Sequence, residues 1–103
     1  MKVGGRVLKI KDLRDGMRRV DVEAKVIQKS DTREVHSRYG NETYRVADAI
    51  IKDDTGTIKL TLWNEQINQV NIDDMVRIEN GYIRSFREEI QLNVGRYGKL
   101  TIL

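Results

Sequence analysis

The 103-residue chain contains no cysteine and no proline. The first absence removes disulfides, thiolate metal sites and cysteine nucleophiles together, so stability has to come from a packed core. The second argues for compact, regular connections, with eight glycines placed mostly at expected turns. Long apolar runs are also missing. No stretch approaches the roughly 20 apolar residues of a membrane-crossing helix, and Met1 to Lys11 carries charges where a secretory signal is apolar. The single histidine, His36, sits among polar residues with no nucleophile or carboxylate partner indicated, which gives no basis for an acid–base site. Asp53-Asp54 and Asp73-Asp74 lack calcium-loop spacing, and Gly95-Arg96-Tyr97-Gly98 lacks the spacing and following helix of a phosphate-cradling loop. No enzyme activity, cofactor, metal or membrane partner is expected.

What is present is charge and alternation. Charged residues make up 34% and hydrophobic residues 39%, with a net charge of +3, which suits one domain over residues 1–103 whose first six residues fray. That mild positive balance fits a polyanionic partner without requiring one.

Val7 to Leu13 suggests a short strand or a single packed turn, closed by a turn at Asp15-Gly16. From Val20 the alternation is clean: Val20, Val22, Ala24 and Val26 on one face of a strand, with Arg19, Asp21, Glu23 and Lys25 on the other. Ser30 to Arg45 has little to bury and reads as the projecting, basic end of a long hairpin. Val46 to Lys52 resumes a strand, and Asp53-Asp54-Thr55-Gly56 supplies a turn with Gly56 suited to positive φ. In Thr57 to Trp63, TIKLTLW, the residues Ile58, Leu60 and Leu62 face the core, leaving Lys59, Thr61 and the only tryptophan outside. A helix of about two turns follows, with Asn64 as its N-cap and Ile67 and Val70 on one side. Met75 to Ile78 opens another strand, and Asn80-Gly81 marks a bulge that reverses its phase, turning Ile83 inward and Tyr82, Arg84 and Phe86 outward. After a hairpin at Arg87-Glu88, Ile90, Leu92 and Val94 form the inner face of a last strand, and Leu100 to Leu103 is an apolar end that has to dock. Five main strands with one short helix between the third and fourth describe an all-β, five-stranded Greek-key barrel of the OB type.

Trp63, Tyr82 and Phe86 would then share one barrel surface with Lys59, Arg77 and Arg84. Rings there can stack on bases while the cations meet phosphates. The opposing reading is that some of these rings are core, and for Tyr82 and Phe86 the choice depends on the bulge. Arg33, Arg38, Arg45 and Tyr39 on the long hairpin form a second candidate surface, diluted by Asp31, Glu34 and Glu42. Arg96 and Tyr97 are a weaker suggestion.

The stretches IKDLRDGM, VEAKVIQKSDTREV, VADAIIKDDTGTIKLTLWNEQI and VRIENGYIRSFREEIQLNVGRYGKL, in this order over nearly the whole chain, resemble the archaeal RPA-like OB-fold proteins that bind single-stranded DNA. These include small single-OB proteins and single domains of replication protein A. The resemblance implies stacking on single-stranded DNA at the positions of Trp63, Tyr82 and Phe86, in replication, recombination or repair. It also implies cytoplasmic, nucleoid-associated localisation and contact with other replication or repair proteins. Where such proteins usually have glycine in the last hairpin, this chain has Glu88. Two alternatives stay open: a protein-interaction OB module of a replication complex, and an RNA- or tRNA-binding OB domain.

Overall fold

The computed structural model describes residues 7–37, 40–95 and 97–103. Residues 1–6, Arg38, Tyr39 and Arg96, which bear on the expected frayed start, hairpin tip and terminal turn, lie outside the described residues. The strands are β1 (Arg18–Lys29), β2 (Arg33–His36), β3 (Thr43–Lys52), β4 (Thr57–Trp63), β5 (Met75–Phe86), β6 (Glu89–Asn93) and β7 (Lys99–Ile102), with helix α1 (Glu65–Gln69) between β4 and β5. Neighbouring strands run β1-β3-β4-β6-β5, and β5 pairs back onto β1, so five strands close into the expected barrel. Closure leaves these five without free edges.

The alternation in sequence becomes inside and outside. Val20, Val22, Ala24 and Val26 of β1, Ala47, Ala49 and Ile51 of β3, Ile58, Leu60 and Leu62 of β4, and Leu92 of β6 all lie in the core. Two short strands add to the barrel. β2 extends the hairpin by pairing Arg33 to His36 with β3, and the apolar end docks as β7 along β5. Ile10–Asp12 is a single 3-10 turn that buries Ile10, and Leu13 follows it into the core.

Side-chain hydrogen bonds replace two expected local devices. Gly56 is not in the left-handed region. Instead the Asp53 carboxylate closes the turn by accepting from Thr55 N–H at 2.7 Å, Thr55 Oγ1 at 2.6 Å and Gly56 N–H at 3.1 Å. Its other oxygen accepts from Ile10 N–H at 2.8 Å and fastens the 3-10 turn to the β3–β4 hairpin. Asn64 does not cap α1 with its side chain. With φ 52°, it donates its N–H to Arg45 O at 2.9 Å and accepts Arg45 N–H on Oδ1 at 3.0 Å, stitching the end of β4 to β3. The helix is five residues long rather than two turns, and Lys29 Nζ donates to the carbonyls of Ile67 and Val70. A cation on these carbonyls satisfies groups that a helix end leaves without partners.

The phase change in β5 is present. Val22 stands opposite Ile78, but Val20 stands opposite Gly81, so β5 carries one residue more than β1 over this interval. The left-handed residue is Asn80, φ 57°, while Gly81 is required for a different reason. A Cβ on Gly81 would lie 2.9 Å from Asn93 O and 3.1 Å from both Ile78 Cγ2 and Leu92 Cδ1. A second irregularity lies across the pair, where β1 gains a residue at Arg19, also φ 57°.

Two stability measurements follow from this geometry. Gly81→Ala overpacks the barrel against backbone and should cost about 2 kcal/mol in urea unfolding. Burial pushes the Asp53 pKa up, but the hydrogen bonds from Thr55, Ile10 and Gly56 outweigh it and hold the carboxyl below its ordinary 3.8. A depressed folded-state pKa contributes stability above the unfolded-state pKa and loses it as pH falls through the folded value. Asp53→Ala should therefore cost about 2 kcal/mol at neutral pH, where the hydrogen bonds are to a charged group. The gap from the parent should narrow as unfolding is measured below about pH 4.

Candidate functional site

Outward residues on β4, β6 and the second half of β5 form cross-strand rows. Tyr82 stands opposite Asn93, Asn93 beside Thr61, and Thr61 opposite Asp48 of β3. In the next row Arg84 stands opposite Gln91, which lies beside Lys59, and Phe86 faces Glu89 one step further. At the other end Trp63 stands opposite Val46, and Val46 opposite Arg33 of β2. Two strand spacings separate Tyr82 from the Trp63 strand, about 10 Å. The rings are therefore distributed over the face rather than packed on one another.

Between them runs a groove of about 480 Å³ lined by Arg33, Lys59, Thr61, Trp63, Arg84 and Phe86 among others. Trp63 and Tyr82 line an adjoining depression with Gln66 and Gly95. Trp63 is 41% exposed and Phe86 59% exposed. Tyr82 is half-buried because its ring lies against Gly95, where a Cβ would come within 2.9 Å of Cε1. Thr61 and Asn93 are buried in the groove as uncharged polar groups, and neither side chain bonds to another described residue; Asp48 lines it beside Thr61.

The charges are less available than the sequence suggests. Arg33 pairs with Asp48 at 3.3 Å and Lys59 with Glu89 at 3.2 Å. Arg84 is exposed and has no ion pair among the described residues. Arg87 places its guanidinium carbon 5.2 Å from the Phe86 ring centroid, occupying one region of that ring.

Two expected cations stand elsewhere. Arg77 precedes the bulge, on the half of β5 that pairs with β1 and β7. It bonds Glu23 at 3.2 Å and lies 4.0 Å from Glu79, so the expectation that it shares the ring surface is corrected. Arg45 stands opposite Glu34, out of phase with Arg33 and Val46, on the other side of the hairpin. Arg38 lies outside the described residues.

Tyr44 was not anticipated. Its ring meets Trp63 edge-on, with centroids 6.3 Å apart and planes at 82°. Its hydroxyl donates to Glu42 at 2.6 Å, and this bond together with the nearby negative charge raises the phenol pKa above its usual 10.0. The signal was available, since Tyr44 lies two residues before Val46 on one strand and so shares its face.

The placement of Trp63 against Leu62 can be tested by stability alone. Leu62→Ala removes a fully buried side chain and should cost about 3 kcal/mol in chemical unfolding. Trp63→Ala should cost no more than about 1 kcal/mol.

Residues 13–102 match the family described as single-stranded DNA binding protein Ssb-like, OB fold. The chain is 33% identical over 93 residues to the single-stranded DNA binding protein Ssb of Saccharolobus solfataricus, covering 90% of this chain and 62% of that one. It is 34% identical over 97 residues to Replication factor A of Methanothermobacter thermautotrophicus, covering 93% of this chain and 12% of that one. The chain thus spans less than two thirds of either relative's length. Among solved structures, the OB domain of Ta0387 from Thermoplasma acidophilum superposes with a TM-score of 0.80 at 26% identity, over 94% of this chain and 86% of that one. The replication factor A related protein from Methanobacterium thermoautotrophicum gives 0.78 at 28% identity, over 100% of this chain and 96% of that one.

Proposed function

Because the chain belongs to the single-stranded DNA binding protein Ssb-like family of OB folds, we propose that it is a single OB domain that binds single-stranded DNA, without catalysis, in replication, recombination or repair. The observation that carries this reading is that Trp63 and Phe86 line one groove and Tyr82 the depression adjoining it at Trp63, with the uncharged Thr61 and Asn93 buried between them. Flat rings offer stacking faces to bases, at roughly 1 to 3 kcal/mol each. Thr61, Gln91 and Asn93 between them can meet base edges of any identity, so the sequence preference is weak.

Phosphates meet Arg84 first, the one groove cation with no ion pair among the described residues. Lys59 and Arg33 contribute by exchanging Glu89 and Asp48 for phosphate oxygens, which yields less than a free cation would. Arg38, in the hairpin sequence, belongs to the same proposed set. Arg77 and Arg45 do not, given their places off the groove. The matched relatives carry names of single-strand binding and replication, which supports a role beside nucleoid DNA in the cytoplasm.

Titration with oligo-dT while following Trp63 emission tests the reading. Quenching and saturable binding are expected, with these four cations contributing an apparent salt slope of about 3 or less at roughly 0.7 per phosphate. Trp63→Ala should weaken binding by about 1 to 3 kcal/mol while leaving the fold intact. Unchanged emission with no binding at low salt would overturn the reading, and tighter binding of the matched RNA oligomer would transfer it to RNA.

A further inference from the structure

Tyr82 does not end the ring surface. On its far side a second hollow of about 420 Å³ is lined by Arg18, Arg19, Asn80, Tyr82, Gly95 and Tyr97, together with Gly81 and Val94. Arg18 stands directly opposite Tyr82, so the row Asp48, Thr61, Asn93, Tyr82 continues across the barrel seam to an arginine. We propose that this hollow is an additional subsite for the same nucleic-acid strand, in which Arg18 and Arg19 take phosphates and Tyr97 provides a fourth stacking ring. The proposal rests on the single-strand-binding reading above and extends its footprint.

The backbone explains why two consecutive arginines serve one hollow. In a regular strand Arg18 and Arg19 would point to opposite faces. The extra residue of β1 at Arg19, with φ 57°, breaks that alternation, and both line the hollow. Opposite them Asn80 is also left-handed, and its N–H is taken by Asp21 at 2.9 Å. Its Nδ2 donates to the Tyr97 carbonyl at 3.2 Å, which ties the Tyr97 backbone to the rim. Tyr97 is 81% exposed, the highest value among the large hydrophobic side chains described.

Charge favours a phosphate here over a carboxylate-bearing partner within the chain. Arg18 and Arg19 are exposed, and neither forms an ion pair among the described residues, in contrast to Arg33 and Lys59 in the main groove. Two unneutralised cations concentrated beside a ring are what a strand leaving Tyr82 would meet next.

The test compares the parent with Arg18→Ala/Arg19→Ala and with Tyr97→Ala. The probes are oligo-dT of about 4 and about 12 nucleotides, which bracket much of the span of one OB fold. On the longer oligomer the double variant should lower the salt slope by about 1.4, two phosphates at roughly 0.7 each. Tyr97→Ala should weaken binding about five-fold or more, the equivalent of one stacked base. The short oligomer, filled by Trp63, Tyr82 and Phe86, should respond to neither change. Equal losses on both lengths would mean a general field effect and would overturn the subsite, as would unchanged binding of the longer oligomer. Arg18→Lys/Arg19→Lys, which keeps the charge, should restore the slope and guards against a folding defect. Should the parent itself bind no oligo-dT, the failure belongs to the single-strand reading and the subsite falls with it.

Discussion

The hydrogen bond from Asn80 N–H to the buried carboxylate of Asp21 sets the phase of everything after it on β5. A bulge leaves a backbone donor outside the ladder, and a donor without a partner near a core is costly. Asp21 supplies that partner from the outward series of β1. It is buried because the preceding segment lies along it, with Leu8 N–H donating to Asp21 O at 2.8 Å and Val7 bridged to the same residue. Gly81 then allows Asn93 O, Ile78 and Leu92 to close over the next position. Remove the extra residue from β5 and Ile83 turns outward while Tyr82, Arg84 and Phe86 turn into the barrel. One side of the groove therefore depends on a single out-of-register residue more than sixty positions after the start of β1.

The same face shows why rings rather than charge dominate its chemistry. Its outward cations mostly sit within reach of an acid in the neighbouring strand: Arg33 with Asp48, Lys59 with Glu89. Such exposed pairs are worth little to the fold. Their effect on an anionic ligand would be larger, because each contact would first have to displace a carboxylate. What displacement cannot remove is the open area of Trp63 and Phe86, which no intramolecular partner fully covers. Tyr44 packs against Trp63 with the two ring planes nearly perpendicular, and Trp63 still keeps 41% of its surface exposed.

Much of this was legible in the sequence, for a physical reason that also marks its limit. Alternation reports inside against outside, so the core of β1 and β4 and the outward position of Trp63 followed directly, and the glycine at 81 gave away the reversal on β5. Alternation does not report which sector of a closed barrel an outward residue occupies. Arg77 is outward as expected, yet the half of β5 that carries it pairs with β1 and β7, so it meets Glu23 instead of the rings. Arg45 lies on the hairpin as expected but off the groove, since a projecting hairpin has two outward faces and only one borders the groove. At Gly56 the Asp53 carboxylate does what positive φ was expected to do, whereas the Asn64 side chain is drawn away from the helix to Arg45 N–H. Tyr44 went unnoticed because β3 begins at Thr43, three residues before its apolar run, and the strand looked as if it started with that run.

The hairpin after Phe86 shows stability and surface chemistry in opposition. Arg87 and Glu88 both occupy left-handed backbone, φ 53° and 67°, in the two-residue connection between β5 and β6. That geometry matches the twist of paired strands, and asparagine and glycine adopt it most easily. Other residues pay roughly 1 kcal/mol or more for each such position. A turn with glycine at the second position would be cheaper, but the first position is what holds the Arg87 guanidinium over Phe86. A cation beside an exposed ring stabilises it in water by roughly 0.5 to 1 kcal/mol. The strained turn thus keeps Phe86 and Arg87 together as a cation–ring pair. Relaxing the second position alone would leave that pair in place, so the strain at Glu88 has no counterpart in the site, and nothing in the structure explains it.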